Sequence, residues 1–283
     1  MHGTDEDESA SARMIRPEEW PPPKVNTRVA AAIVLAGVVI LVSLWRAWDA
    51  GHAGAWAVMR FFLILSGLMA LTALFGYVFW RPRRGDPEIR LVEAWGRGAT
   101  EIRASGPVFH LMGAMTTSAA LLSLGAAVEI VLFAPGVPWV SVLLAAFGLP
   151  CAAFVVEVLR GGIRRGALLL TPDGIRQRGW TIESYLPWVS VAGVHAVHHG
   201  FPEIWVLGTP AAAWARRRTS RLFRLDRLPP EPVIEIDSRK FDCDPVLLFR
   251  VLEFYASNPQ ARTELGSAAA TERVHRHDLG DPT

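Results

Sequence analysis

Hydrophobic residues are unevenly distributed along this chain. Within the first 160 positions they form four long blocks with almost no charge, and beyond Arg160 they fall into short runs separated by turn residues. A helix needs about 20 apolar residues to cross a hydrocarbon layer about 30 Å thick. Val29 to Trp45 supplies 17 uncharged residues held between Arg28 and Arg46, Phe61 to Trp80 supplies 20, Val108 to Val128 supplies 21 and Val137 to Val156 supplies 20. The pattern predicts four membrane spans at about 29–48, 56–80, 107–133 and 137–157, within a helical domain over 28–159. Trp45, Trp48, Trp56, Trp80 and Trp139 lie at the ends of these blocks, where an amphipathic ring favours the headgroup layer.

The short runs read differently. In "ALLLTPDGIRQRGW", Ala167 to Trp180, an apolar run, a Pro-Asp-Gly turn and a second run spell a β-hairpin. Pro172 presets the turn, and Gly174 is expected to take the left-handed conformation of a hairpin bulge. Strands are expected at Ala167–Thr171, Ile175–Trp180, Ser184–Trp188, Val194–His198, Glu203–Gly208 and Pro232–Asp237. In "DCDPVLLFRVLEFYASNP" Asp244 can cap a helix, Pro245 fits its first position and Asn258-Pro259 ends it. Leu247, Leu248, Val251, Leu252 and Tyr255 recur on one face. The fold class expected is a membrane α-helical bundle followed by an α+β domain over 160–266, a curved antiparallel sheet capped by one helix. Residues 267–283 read as a flexible tail.

Charge adds an orientation. The loop from Arg81 to Gly106 carries Arg81, Arg83, Arg84, Arg90, Arg97 and Arg103, whereas the other two connections hold Arg46 alone between them. Lys and Arg are retained on the cytoplasmic side, so both termini are expected there, with the chain multi-pass in a bacterial inner membrane. The acidic "GTDEDES" before the first block is unlike a signal peptide. With "PEEWPPPK" it makes residues 1–27 a disordered cytoplasmic tail with a short stiff polyproline stretch, and Met14 is an alternative start. Within the Arg-rich loop, "DPEIRLVEAWGRG" reads as an interfacial helix using Ile89, Val92 and Trp95, with a strand pair around Gly96-Arg97-Gly98 as the alternative. The 27 arginines among 29 basic residues reflect genome composition more than chemistry, and two dissimilar cysteines, Cys151 and Cys243, make no disulfide framework.

"LLLTPDGI", then "LPW" at Leu186–Trp188, then "VIEIDSRKFDCDPVLLFRVLEFYASNPQARTELG" resemble the bacterial pleckstrin-homology-like (PH-like) domains that follow transmembrane helices in membrane proteins of GC-rich actinobacteria. The resemblance covers about Leu168 to Gly266, and it implies a fold akin to modules that bind lipids or peptides. Fold alone does not give function. An Arg-rich insertion at 210–228 departs from the simple form.

That insertion, "AAAWARRRTSRLFRLDRL", holds six arginines and one acid, Asp226. Read as a helix it places Trp214, Leu222 and Leu225 on one side, and Arg216, Arg217, Arg218, Arg221 and Arg224 become candidates for contact with anionic headgroups or a partner protein. A solvated basic loop is the plain alternative. Nucleic acid is not expected, because the region lacks a reading motif. His195, His198 and His199 cannot converge from one strand without outside help, so no metal is expected, and the "HRH" at 275–277 reads as a frayed end. No Walker loop, H-E-x-x-H or nucleophile elbow is present, so neither an enzyme nor a cofactor is expected. Inside the blocks, Arg60 and Glu129 lie at matched depths and are expected to form an ion pair between the second and third spans. The function expected is a membrane protein presenting a PH-like interaction module; a small transporter or channel with a regulatory domain is the alternative.

Overall fold

A computed structural model describes residues 16–22, 26–83, 85–94, 96–133, 138–229 and 231–280. They form two compact units, each interleaved in sequence with the other: one from residues 24–81 and 106–163, the other from the flanking segments up to residue 23, 82–105 and 164 onward.

The helical unit contains α1 (Thr27–His52), α2 (Trp56–Trp80), α3 (Gly106–Phe133) and α4 (Pro138–Leu159). With 22 to 28 residues each, all four are long and apolar enough to cross a membrane; at 1.5 Å per residue they measure about 33 to 42 Å. The chain is in this sense a multi-pass membrane protein. Asn26 opens α1 by accepting the amides of Arg28 and Val29. Each helix packs on the next in sequence. Small residues are prominent where side chains are buried: Ala36, Ser43, Ala47 and Ala50 on α1, and Ala119, Ala120, Ser123 and Ala127 on α3. That is how helices approach closely where apolar burial supplies no driving force. Gly148 on α4 shows it directly, since a Cβ there would sit 2.8 Å from Leu124.

The second unit holds two sheets. The larger runs β1-β2-β3-β4-β5-β8, from β1 (Ile89–Ala94), β2 (Arg97–Arg103), β3 (Ala167–Thr171), β4 (Gly174–Arg178), β5 (Ile182–Pro187) and β8 (Ala215–Arg218). The smaller runs β6-β7-β9, from β6 (Val191–His198), β7 (Pro202–Gly208) and β9 (Val233–Asp237). Every described pairing is antiparallel. Leu168, Leu170, Ile175 and Leu186 of the large sheet and Ile204, Val206, Ile234 and Ile236 of the small one are almost wholly buried. They share a core with Leu247, Leu248, Val251, Leu252 and Tyr255 of α5 (Pro245–Ser257). Gln177 ties the sheets by donating to the Glu235 carbonyl at 2.6 Å. Asp244 accepts the Val246 amide at 2.8 Å, and Asn258 follows the last turn of α5.

Five expectations change. The segment read as an interfacial helix, with a strand pair around Gly96-Arg97-Gly98 as the alternative, follows the alternative: it is the β1–β2 hairpin, turning on Gly96 at φ +73. The fully buried Ile102 puts its inner face into the core, and Trp95 lies outside the described residues. The α+β unit is therefore larger than 160–266, because β2 is bonded to β3 over Thr100–Arg103 and Leu170–Ala167. Gly174 is not left-handed; it is needed because a Cβ there would lie 2.6 Å from the Leu186 carbonyl. Residues 267–280 are no loose tail, since α6 (Ala268–His275) buries Ala270 and Val274 and is followed by the buried Leu279. Of the segment read as a disordered tail, residues 16–22 are placed, with Trp20 only 3% exposed; the rest of the acidic stretch and Met14 lie outside the described residues.

Candidate functional site

The Arg-rich insertion forms an added strand and a pinned loop. β5 offers a free edge after pairing β4, and residues 215–218 take it, with Tyr185 opposite Ala215 and Ile182 opposite Arg218. Neither the helical reading nor the plain solvated loop anticipates this strand: edge pairing satisfies the backbone along the run, which its own spacing could not foresee. Arg217 meets Glu183 at 2.8 Å. Arg216 lies 5.0 Å from the Trp214 ring and donates to the Pro229 carbonyl. Two of the five candidate arginines are thus held by their own unit.

Arg218, Arg221 and Arg224 are exposed, as is Arg227. Among the described residues no carboxylate pairs with Arg218, Arg221 or Arg224. Leu222 and Leu225 stand beside them at 67% and 39% exposure. Asp226 fixes this loop. Its carboxylate accepts the Thr181 amide at 2.7 Å and the Thr181 hydroxyl at 3.3 Å, and takes the Lys240 ammonium at 2.6 Å. Lys240 in turn lies 4.7 Å from the Trp180 ring. A basic loop with two exposed leucines, held at its base by a shielded ion pair, can offer charge and apolar surface together.

The outer face of the large sheet is charged but internally paired. Glu101 takes Arg178 at 2.9 Å, and Glu88 takes Arg90 and Arg165, each at 2.8 Å. The bond from Arg165 holds the Glu88 carboxyl below its ordinary range. Farther along the sheet, where Arg176 on β4 lies opposite Tyr185 on β5, burial pushes the Tyr185 hydroxyl up and the Arg176 guanidinium down. Arrays of this kind consume their own charge and leave little for a ligand.

In the helical unit, Arg60 Nη2 and Glu129 Oε1 lie 3.0 Å apart. The histidines do not converge: His199 bonds Glu203 at 3.0 Å, His277 bonds Asp86 at 3.0 Å and His275 bonds the Thr271 carbonyl at 2.9 Å. Among the described residues no group of His, Cys, Asp and Glu could hold a metal ion. Asp242 is paired with Arg83 at 2.7 Å. Two clefts open between helices. The first, about 550 Å³ between α2 and α3, is lined by residues such as Ile64, Gly67, Leu71 and Leu121. The second, about 280 Å³ between α1 and α2, runs past Ala32, Ala36, Thr72 and Gly76. No acid lines either one.

Sequence reasoning missed Asp226 as an anchor and the burial of Trp20. The signal for the first was its being the one acid among six arginines, and for the second a lone tryptophan in a polar, proline-rich stretch. Compared with known proteins, the chain matches no family model, no curated protein and no solved structure.

Proposed function

We propose that this is an inner-membrane protein of a bacterium whose α+β unit is a PH-like module at the cytoplasmic face, where its Arg-rich loop engages anionic lipid headgroups. The observation that carries the reading is the loop itself: Arg218, Arg221 and Arg224 stand exposed beside Leu222 and Leu225, while Asp226 holds the base. A basic residue near an anionic leaflet contributes about 1 kcal/mol, so three contribute about 3 kcal/mol, and the leucines add apolar contact. The PH-like reading is supported by a three-stranded run, β3-β4-β5, followed by the β6-β7-β9 sheet and a closing helix.

Sidedness has its own support. The module is assembled from segments that precede α1, join α2 to α3 and follow α4. In a four-span chain these three places share a side, and the arginines of the middle one favour the cytoplasm. The two clefts are lined mainly by apolar residues, with Ser118 in the first and Arg28 and Thr72 in the second, and no acid lines either; that lining gives a transport path no support.

The test uses the full chain in lipid nanodiscs, because an excised 160–266 fragment would lack β1 and β2. Hydrogen exchange at 211–228 is expected to slow in discs of anionic phospholipid relative to zwitterionic ones, with the difference fading as salt rises. A triple variant, Arg218→Ser, Arg221→Ser and Arg224→Ser, is expected to lose the difference. If wild type exchanges equally in both lipids, the headgroup reading is wrong.

A further inference from the structure

The described part of the N-terminal segment, residues 16–22, is fastened to the α+β unit chiefly by one side chain. Arg16, Glu18, Glu19, Pro21 and Pro22 are exposed, whereas Trp20 is buried. Its indole N–H donates to the Val197 carbonyl at 2.9 Å. Its ring meets Phe249 edge to face, with centroids 5.8 Å apart and planes at 68°. Val197 belongs to β6, the outer strand of the small sheet, and Phe249 to α5, so the ring sits where a free strand edge faces a helix.

The segment's other bonds are largely its own. The Trp20 amide donates to the Pro17 carbonyl at 3.1 Å, and the Arg16 guanidinium donates to the Pro21 carbonyl at 3.1 Å. It joins no strand ladder, and its prolines have no amide to offer one. A buried aromatic anchor on a stiff, exposed, proline-flanked backbone is how an extended peptide ligand is held, with one hot-spot side chain in a pocket and little ordering cost in the rest. Residues that belong to a fold in the ordinary way, such as those of β2 or α6, are bonded or buried along their length.

We propose that the groove between β6 and α5 is a peptide-binding site for a tryptophan followed by proline, and that residues 16–22 are its resident ligand in cis. A partner protein displaying an exposed Trp-Pro segment would take the same pocket, with its indole N–H on the Val197 carbonyl and its ring on Phe249, once the resident segment is displaced. The tether gives the resident segment an effective concentration of about millimolar, so the site is closed to weak ligands by default. This concerns a different surface from the Arg-rich loop and stands or falls independently of lipid contact there.

The experiment uses the full chain in detergent and a fluorescent peptide, RPEEWPPP, copied from residues 16–23. Trp20→Ala is expected to bind the peptide saturably by anisotropy, at least about tenfold more tightly than wild type, as removal of a tethered competitor requires. A control peptide with alanine for tryptophan should not bind. In a second version, wild type carrying a protease site after Pro22 is cut, and the released segment is expected to exchange with the labelled peptide. Peptide uptake in either version with the alanine control silent supports the proposal. If Trp20→Ala melts cooperatively yet takes up no peptide, or if the cut segment stays bound through dilution and chase, Trp20 is a fixed core residue and the proposal is overturned.

Discussion

Asp226 is the residue on which the shape of the Arg-rich loop depends, and removing it should be felt well beyond the loop. Its side chain is 8% exposed and its Lys240 partner 22%, so this is a largely shielded pair. Asp226→Ala leaves the Thr181 amide, in a residue with no exposed surface, without its acceptor, and leaves Lys240 without its counter-charge. A charge-assisted hydrogen bond is worth about 1.5–3 kcal/mol, and breaking a buried pair from one side costs about 3–5 kcal/mol. Lys240 keeps some access to water, which puts the expected loss at about 3–4 kcal/mol, or about 6–15 °C in melting temperature for a unit of this size. Asp226→Asn keeps the volume and an acceptor for Thr181 and gives up only the charge, for about 1–2 kcal/mol. Melting of the full chain in detergent measures both, and hydrogen exchange should show 211–228 released in the alanine variant. If the alanine variant loses less than about 1 kcal/mol, well under the one-sided cost of a buried pair, or if the two variants are indistinguishable, the anchor argument fails.

Glu129→Gln should destabilise the helical unit by leaving Arg60 without its 3.0 Å partner, and the swap Arg60→Glu with Glu129→Arg should recover part of the loss; strictly additive melting shifts would mean the two side chains act separately. Gly266→Ala should cost at least about 1–3 kcal/mol in a thermal melt, because Gly266 sits at φ +86 and a Cβ there would lie 2.2 Å from the Gly98 carbonyl carbon; a silent substitution would refute the requirement for glycine at this crossing. Burial drives the Cys243 thiol far above its usual range, so maleimide at neutral pH should leave it unlabelled until the protein is denatured. Glu264 is held below the ordinary carboxylate range by its bond from Arg273, so it contributes stability above its unfolded pKa that is lost as pH falls through the folded one; melts stepped down in pH should show that Glu264→Gln removes this acid-side decline, and an unchanged profile would refute the assignment.

What could be read from the sequence was what is local or periodic. The four apolar blocks, the turn at Pro172-Asp173-Gly174 and the capped helix after Asp244 each signal themselves within a few residues. The misreadings are all cases where a distant partner decided the outcome. Ile89 and Val92 have helical spacing, but the edge of β3, far along the chain, recruits β2, which brings β1 with it. The run Ala215–Arg218 could be helical until β5 presents an unpaired edge. Gly174 signals a left-handed turn residue by its own backbone freedom, whereas the Leu186 carbonyl on the neighbouring strand is what excludes a side chain. Trp20 has no neighbours to make a pattern with, because its pattern is supplied by β6 and α5. At the candidate site, composition marked the arginines but could not separate Arg216 and Arg217, which Pro229 and Glu183 occupy, from those that remain exposed.

The bond between β2 and β3 has a consequence for biogenesis. β2 is made before α3 and β3 after α4, so the large sheet cannot close until two further helices have entered the membrane. Should one of them fail to insert, the two strands would emerge on opposite sides of the bilayer, with Ile102 and Leu168 each facing water in place of a shared core. Completion of the large sheet therefore depends on both intervening helices crossing, because only an even number of crossings returns β3 to the side where β2 waits.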